Sequence, residues 1–205
     1  TLQIPKQGIG EWCHPLHTVD INDAGLRSSV QNGILNTELG IPFRTPAEGH
    51  NVAFTSLWDN YPDSLEIPLK GKASRAYLLM AGSTNHMQCH IDNGVIRIYY
   101  KDGTRDVMFL RNPDNWPPIE HIFFEDGLAF NRHTPALYRL RLKTGEISNN
   151  FGEELGFPGA SRELDGGAAV LLEMPLNPGK KLSHLVLETL SNDVVIGLMS
   201  ITLQR

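Results

Sequence analysis

The segment Val95–Arg111, VIRIYYKDGTRDVMFLR, constrains the fold more than any other stretch of this chain. Val95, Arg97 and Tyr99 alternate with Ile96, Ile98 and Tyr100, and alternation resumes after Asp102-Gly103 at Arg105, Val107, Phe109 and Arg111. Side chains of a strand point to opposite faces in turn, and an Asp-Gly between two alternating runs supplies the positive φ that a tight reversal needs. The segment therefore predicts a β-hairpin. Similar patterns recur through most of the chain, so an all-β domain is expected, with its function carried by loops.

The chain has 205 residues, and all-β sandwiches often reach roughly 200 residues as one unit. A chain of this size buries about 70% of its unfolded surface and needs no metal or disulfide staple. One domain over residues 1–205 is expected, with residues 1–32 as an irregular segment packed on it. The net charge of −5 argues against nucleic acid as a partner, because phosphate binding needs a basic surface. The longest apolar segments, Ala76–Ala81 and Ala168–Leu172, have strand length and fall far short of the roughly 20 residues of a membrane span. With only Cys13 and Cys89, no disulfide framework is present and the redox compartment stays open. No signal peptide is visible, and a start at Thr1 leaves export open.

The N-terminal 50 residues are the least regular. Asp23–Val30 predicts a helical turn or two with Asp23 as N-cap. Strands are predicted at Asn51–Leu57, Ser64–Leu69, Ala76–Gly82, Val95–Tyr100 and Arg105–Leu110. A second set follows at Ile119–Phe124, Leu137–Leu142, Ala168–Met174, Ser183–Leu190 and Val194–Leu203. Leu137, Leu140 and Leu142 do not alternate strictly, so a bulge or a helical turn is open there. Between Ile147 and Gly167 lies a Gly- and acid-rich loop, and loops that long usually carry function or mobility. About ten short strands with turn residues between them predict an antiparallel β-sandwich of jelly-roll type. Its inner face is expected to hold Phe54, Ile67, Leu78, Met80, Ile96, Ile98, Val107, Phe109, Leu171, Leu187 and Leu198, with Val95, Arg97 and Tyr99 facing out.

Three segments together resemble a known family. They are Gly40-Ile41-Pro42-Phe43 with Asn51-Val52-Ala53-Phe54, then Ile67-Pro68-Leu69 with Ala76–Gly82, then the Asp102-Gly103 hairpin. This order resembles galactose-binding-like β-sandwich domains, and Asn192–Leu198 with Ser200–Leu203 looks like the last core strand of such a sandwich. The closest resemblance is to the accessory β-sandwich region of large secreted glycoside hydrolases of gut Bacteroidetes. It covers most of residues 33–124 and 168–205. It implies a secreted or periplasmic module whose partners are an oligo- or polysaccharide held in end loops, or a neighbouring domain of a larger parent chain.

Two loops carry the residue types that sugar recognition needs. Ser56-Leu57-Trp58-Asp59-Asn60-Tyr61-Pro62-Asp63 and Asn112-Pro113-Asp114-Asn115-Trp116-Pro117-Pro118 each set a Trp beside Asn and Asp. A flat apolar ring stacks on the C–H face of a pyranose, and amide or carboxylate groups meet its hydroxyls. Trp58, Asp59, Asn60, Tyr61, Asn115 and Trp116 are thus the candidate ligand-binding set. The alternative is that Trp58, Tyr61 and Trp116 turn inward as plugs while Asp and Asn form turns.

Other constellations are weaker. Cys13-His14-Pro15-Leu16-His17 and His86-Met87-Gln88-Cys89-His90 each place a cysteine among two histidines, as zinc sites do. Adjacent residues on a strand point to opposite faces, however, so buried cysteines with surface histidines are expected and no metal site is assigned. A Cys13–Cys89 disulfide stays open. Asp59, Asp63, Asp114, Glu120, Glu153, Glu154, Glu163 and Asp165 are candidate carboxylates, yet none has the pairing of a recognised glycosidase motif. No cofactor is expected; a structural calcium, where one exists, is placed at Asn22-Asp23. There is no nucleophile elbow, phosphate loop or dinucleotide fingerprint. A non-catalytic module is expected, with a purely structural or interaction domain as the alternative and a small β-sandwich hydrolase last.

Overall fold

Residues 21–59, 61–85, 88–122, 131–151 and 162–205 are described by a computed structural model. The chain opens with α1 (Ala24–Ser28), β1 (Val30–Gln31), β2 (Ile34–Asn36) and β3 (Pro42–Arg44). Next come β4 (Ala53–Ser56), β5 (Ser64–Pro68), β6 (Arg75–Met80), β7 (Ser83–Thr84), β8 (Gly94–Tyr100) and β9 (Arg105–Leu110). The second half holds β10 (His121–Ile122), β11 (Arg139–Arg141), β12 (Ile147–Ser148), β13 (Arg162–Glu163), β14 (Ala168–Pro175), β15 (Leu182–Thr189) and β16 (Val194–Gln204).

Side-chain alternation on β6, β14 and β16 decides the layers. These strands form the middle of a seven-stranded sheet of order β12-β11-β14-β6-β16-β4, with β7 also paired to β16. A four-stranded sheet, β5-β15-β8-β9, lies against it. All strand pairs in both sheets are antiparallel. Leu78, Met80, Val170, Leu172, Ile196 and Leu198 of the larger sheet pack with Ile96, Ile98, Leu185 and Leu187 of the smaller in one core. Fully burying a side chain of this size stabilises by about 1.5–3 kcal/mol, so this interlayer carries most of the fold.

The larger sheet is buried on its other face too. Leu79, Ala81, Ala169, Leu171 and Met199 meet Leu26 of α1, Leu35 of β2 and Phe43 of β3 in a second core. The small sheet β1-β2-β3 thereby forms a third layer. Ser200 and Thr202 of β16 fasten it by donating hydroxyl hydrogen bonds to the carbonyls of Arg44 and Pro42. A strand covered on both faces reads as a continuous apolar run, which is the pattern of Ala168–Leu172. Among the described residues no helix is long and apolar enough to cross a membrane.

The expected inner face needs correction at four positions, and the expected exposure at Val95. Leu171 and Phe54 belong to the second core, on the opposite face of the larger sheet. Val107 and Phe109 face outward and are 43% and 42% exposed. Val95 shares that outer face, directly opposite Phe109, yet is buried rather than exposed. For Val107 and Phe109 the cause is the length of the hairpin loop. A two-residue Asp102-Gly103 turn would place Val107 and Phe109 in phase with Ile98 and Ile96. Instead the Tyr100 N–H donates to the Thr104 carbonyl at 2.9 Å and Tyr99 pairs with Arg105, leaving three residues in the turn. Gly103 takes φ +83 there. One extra residue reverses the phase of the returning strand, so Met108 stands opposite Ile96.

Tyr100 closes the inner core beside this turn. Its hydroxyl donates to the Asp106 carboxylate and accepts the Asn177 N–H at 2.8 Å. Burial, followed by the Asp106 contact, pushes its pKa up to about 12. Because the folded value exceeds the unfolded one, the stabilisation is intact below about pH 10 and is lost as pH rises toward 12. Ultraviolet titration of the phenols is expected to show one late transition near pH 12 that Tyr100→Phe removes. Its persistence in that variant would assign the shift to another tyrosine.

Candidate functional site

The β4–β5 loop is closed by the Ser56 N–H donating to the Pro62 carbonyl at 3.1 Å and turned by the Tyr61 N–H donating to the Trp58 carbonyl at 3.0 Å. The Ser56 hydroxyl donates to the Val194 carbonyl and accepts the Trp58 N–H, so the loop is anchored on β16. Trp58 and Tyr61 are half-buried and Asp59 is exposed. The Trp58 and Tyr61 rings meet edge-on at 6.5 Å, and Tyr61 meets Phe54 edge-on at 6.4 Å. Three rings thus run from the sheet face to the loop, a geometry that aromatic quadrupoles favour. Asn60 lies outside the described residues.

The second loop is built differently. Asn115 accepts the Arg111 N–H at 2.7 Å and donates to the Phe109 carbonyl at 2.9 Å, so its amide holds the turn together. Trp116 is fully buried within the inner core. It lies against Gly82, where a Cβ would stand 2.8 Å from the ring. Trp116 is therefore a plug rather than an exposed stacking platform. Of these two tryptophans, only Trp58 presents part of its ring to solvent.

The candidate acids scatter. Asp59 and Asp63 are exposed, and Asp165 pairs with Lys143 at 2.5 Å. Glu153 and Glu154 lie outside the described residues, as does the side chain of Glu163. Glu120 is buried, accepts the Ser83 hydroxyl at 3.1 Å, and faces the buried Arg139. Arg139 donates to the carbonyls of Pro118 at 2.8 Å and of Ile119 and Ala168 at 3.2 Å. Burial pulls its pKa down to about 10 against the pull of Glu120. This is a structural network joining the start of β14 to the loop after Trp116.

Asp23 is engaged by neighbouring side chains. Its carboxylate accepts from Arg27 at 2.9 Å and Asn51 at 3.0 Å. Burial, the largest single influence, raises its pKa, but the hydrogen bonds from Arg27 and Asn51, followed by the Arg27 charge, together hold it below the usual carboxylate value. A carboxylate already bound to a guanidinium is poorly placed to hold calcium. Asp23 stands at the N-cap position of α1, as expected, without a side-chain capping bond; the Asn22 side chain accepts the Ala24 N–H.

One cluster unites groups that sequence spacing kept apart. His90, in the β7–β8 loop, Asp114, after β9, and His133, before β11, each offer a ligand atom within 4.8 Å of the others. Asp114 Oδ2 lies 3.7 Å from His90 Nδ1 and 3.6 Å from His133 Nδ1. The two imidazole rings stand 4.6 Å apart. The His90 N–H donates to the Asn112 carbonyl at 2.7 Å, and the His133 N–H donates to Asp114 Oδ1 at 2.7 Å. His90 is held at φ +55, a left-handed conformation uncommon outside glycine.

Of the two Cys/His clusters in the sequence, Cys89 and His90 are the cysteine and histidine members among the described residues, and His90 enters this group. Cys89 accepts the Asn112 amide at 3.4 Å. Cys13, His14, His17 and His86 lie outside the described residues, and a Cys13–Cys89 pairing lies there with them. Asp114 was readable as a loop acid and His133 carried no signal, since only the fold sets them beside His90. Comparison with protein families, with curated proteins and with solved structures finds no match to this chain.

Proposed function

We propose that this chain is a non-catalytic accessory module of a secreted carbohydrate-active enzyme, a galactose-binding-like jelly roll that binds a glycan at the β4–β5 loop. The observation that carries this reading is the edge-on pair of Trp58 and Tyr61, both half-buried in a loop anchored on β16. Trp58 would stack on a pyranose face, and the exposed Asp59 beside it would accept from sugar hydroxyls. Asn115 and Trp116 leave the binding set, because the Asn115 amide is bonded within its own turn and Trp116 is fully buried.

A second reading, a brace for a neighbouring domain of the parent chain, has its own support. Val107 and Phe109 are exposed on edge strand β9. Tyr99 stacks on His184 on the same sheet face at 4.7 Å. Apolar side chains on an outer face suit a protein contact better than a sugar.

Tryptophan fluorescence titrated with a panel of plant and host oligo- and polysaccharides separates the two. A saturable shift that vanishes in Trp58→Ala and survives in Val107→Ser is the expected result. Silence across the panel, from a protein whose Trp58 remains open to quencher, would overturn glycan binding and leave the brace.

A further inference from the structure

We propose that His90, Asp114 and His133 form a binding site for a divalent transition metal of the zinc class, which clasps three loops at one end of the sandwich. Asp114 Oδ2 faces both imidazole Nδ1 atoms at 3.6–3.7 Å. Those separations exceed hydrogen-bond range, so direct bonding does not explain the arrangement. They lie close to the roughly 3.3 Å that separates ligands around a tetrahedral ion with bonds of about 2.0 Å, and small side-chain rotations close the difference. His90 Nδ1 is also buried with no hydrogen-bond partner. A buried imidazole nitrogen aimed at a carboxylate oxygen beyond bonding distance is satisfied by a cation between them.

The surroundings pre-orient the ligands. Asp114 uses its other oxygen on the His133 N–H and its carbonyl on the Thr134 hydroxyl, at 2.7 Å each, which ties the third ligand to the second. The Asn112 carbonyl holds His90 through its backbone and thereby ties the first ligand to the same segment. Two imidazoles and one carboxylate select zinc-class ions over calcium or magnesium, which prefer all-oxygen shells. Three protein ligands leave a coordination position for water or an external donor. A metal here would cross-link segments distant in sequence and stabilise the folded state by mass action.

The test uses chelator-stripped protein and the metal ions alone. Zinc is expected to bind at one equivalent per chain by calorimetry, and cobalt(II) to give the visible absorption of a low-symmetry nitrogen–oxygen site. Zinc in hundred-fold excess over its Kd is expected to raise Tm by about 5–10 °C, while calcium leaves it unchanged. His133→Ala and Asp114→Asn should each weaken zinc by more than about 100-fold, beyond the usual effect of changes outside the ligand shell. His133 has a 65% exposed side chain, and Asp114→Asn keeps an oxygen for the His133 N–H, so both variants should remain folded. Absence of one-equivalent binding to the parent protein, or equal zinc affinity in folded parent and variants, overturns the site.

Discussion

Trp116→Ala is expected to destabilise the fold by about 3–5 kcal/mol, measured by urea unfolding followed by circular dichroism. The indole is fully buried, belongs to the inner core, and rests on the bare backbone of Gly82. Truncation removes its burial and leaves a cavity. That cavity closes poorly, because Gly82 also faces the Val195 carbonyl and Gly197 faces the Ala81 carbonyl, which fixes the link between β6 and β7 against β16 at short range. Trp58→Ala should cost less, since the residue is half-buried on a loop rather than fully buried in the core. Similar costs for the two substitutions would mean that the β4–β5 ring chain is also a core element, and would weaken the glycan reading.

Arg139→Met is expected to cost a comparable amount, about 3–5 kcal/mol, even though methionine nearly matches the length of the arginine stem. Arg139 is 8% exposed and bridges the carbonyls of Pro118, Ile119 and Ala168. Ile119 keeps a partner, because its carbonyl also accepts the Ala168 N–H at 2.8 Å. The larger loss is electrostatic: Glu120, 4% exposed, would face the interior without the guanidinium charge. The variant should recover stability when Glu120 is also replaced by glutamine, because the Ser83 hydroxyl can still donate to the amide oxygen. A loss below about 1 kcal/mol in the single variant would show that water reaches this pair.

Different levels of the sequence were legible to different depths. Strand positions were readable because alternation is local: β5, β8, β9, β14, β15 and β16 fall within two residues of their expected ends. The short strands β1, β2 and β3 were not, since two or three residues cannot show a period and only the outer face of β6 and β16 makes them sheet. Phase failed on β9 for a related reason. Asp102-Gly103 marks a reversal, but the closing bond from Tyr100 to Thr104 decides whether two or three residues turn, and that choice depends on both strands at once.

The candidate site follows the same division. Trp58 and Trp116 have nearly the same neighbours in sequence, both flanked by Asn, Asp and Pro. Gly82 lies beneath one and not the other, which makes Trp116 core and leaves Trp58 half in solvent. Likewise His90 stood out among cysteine and histidine neighbours, whereas Asp114 and His133 reach it only through the topology. By itself the sequence determined an all-β chain of antiparallel strands, because backbone alternation and turn chemistry act over a few residues. Which face each strand buries, which tryptophan meets solvent, and which histidines and acids meet were decided only by the packed structure. Each of those is a contact between segments far apart in the chain, whose formation depends on how every intervening strand is registered.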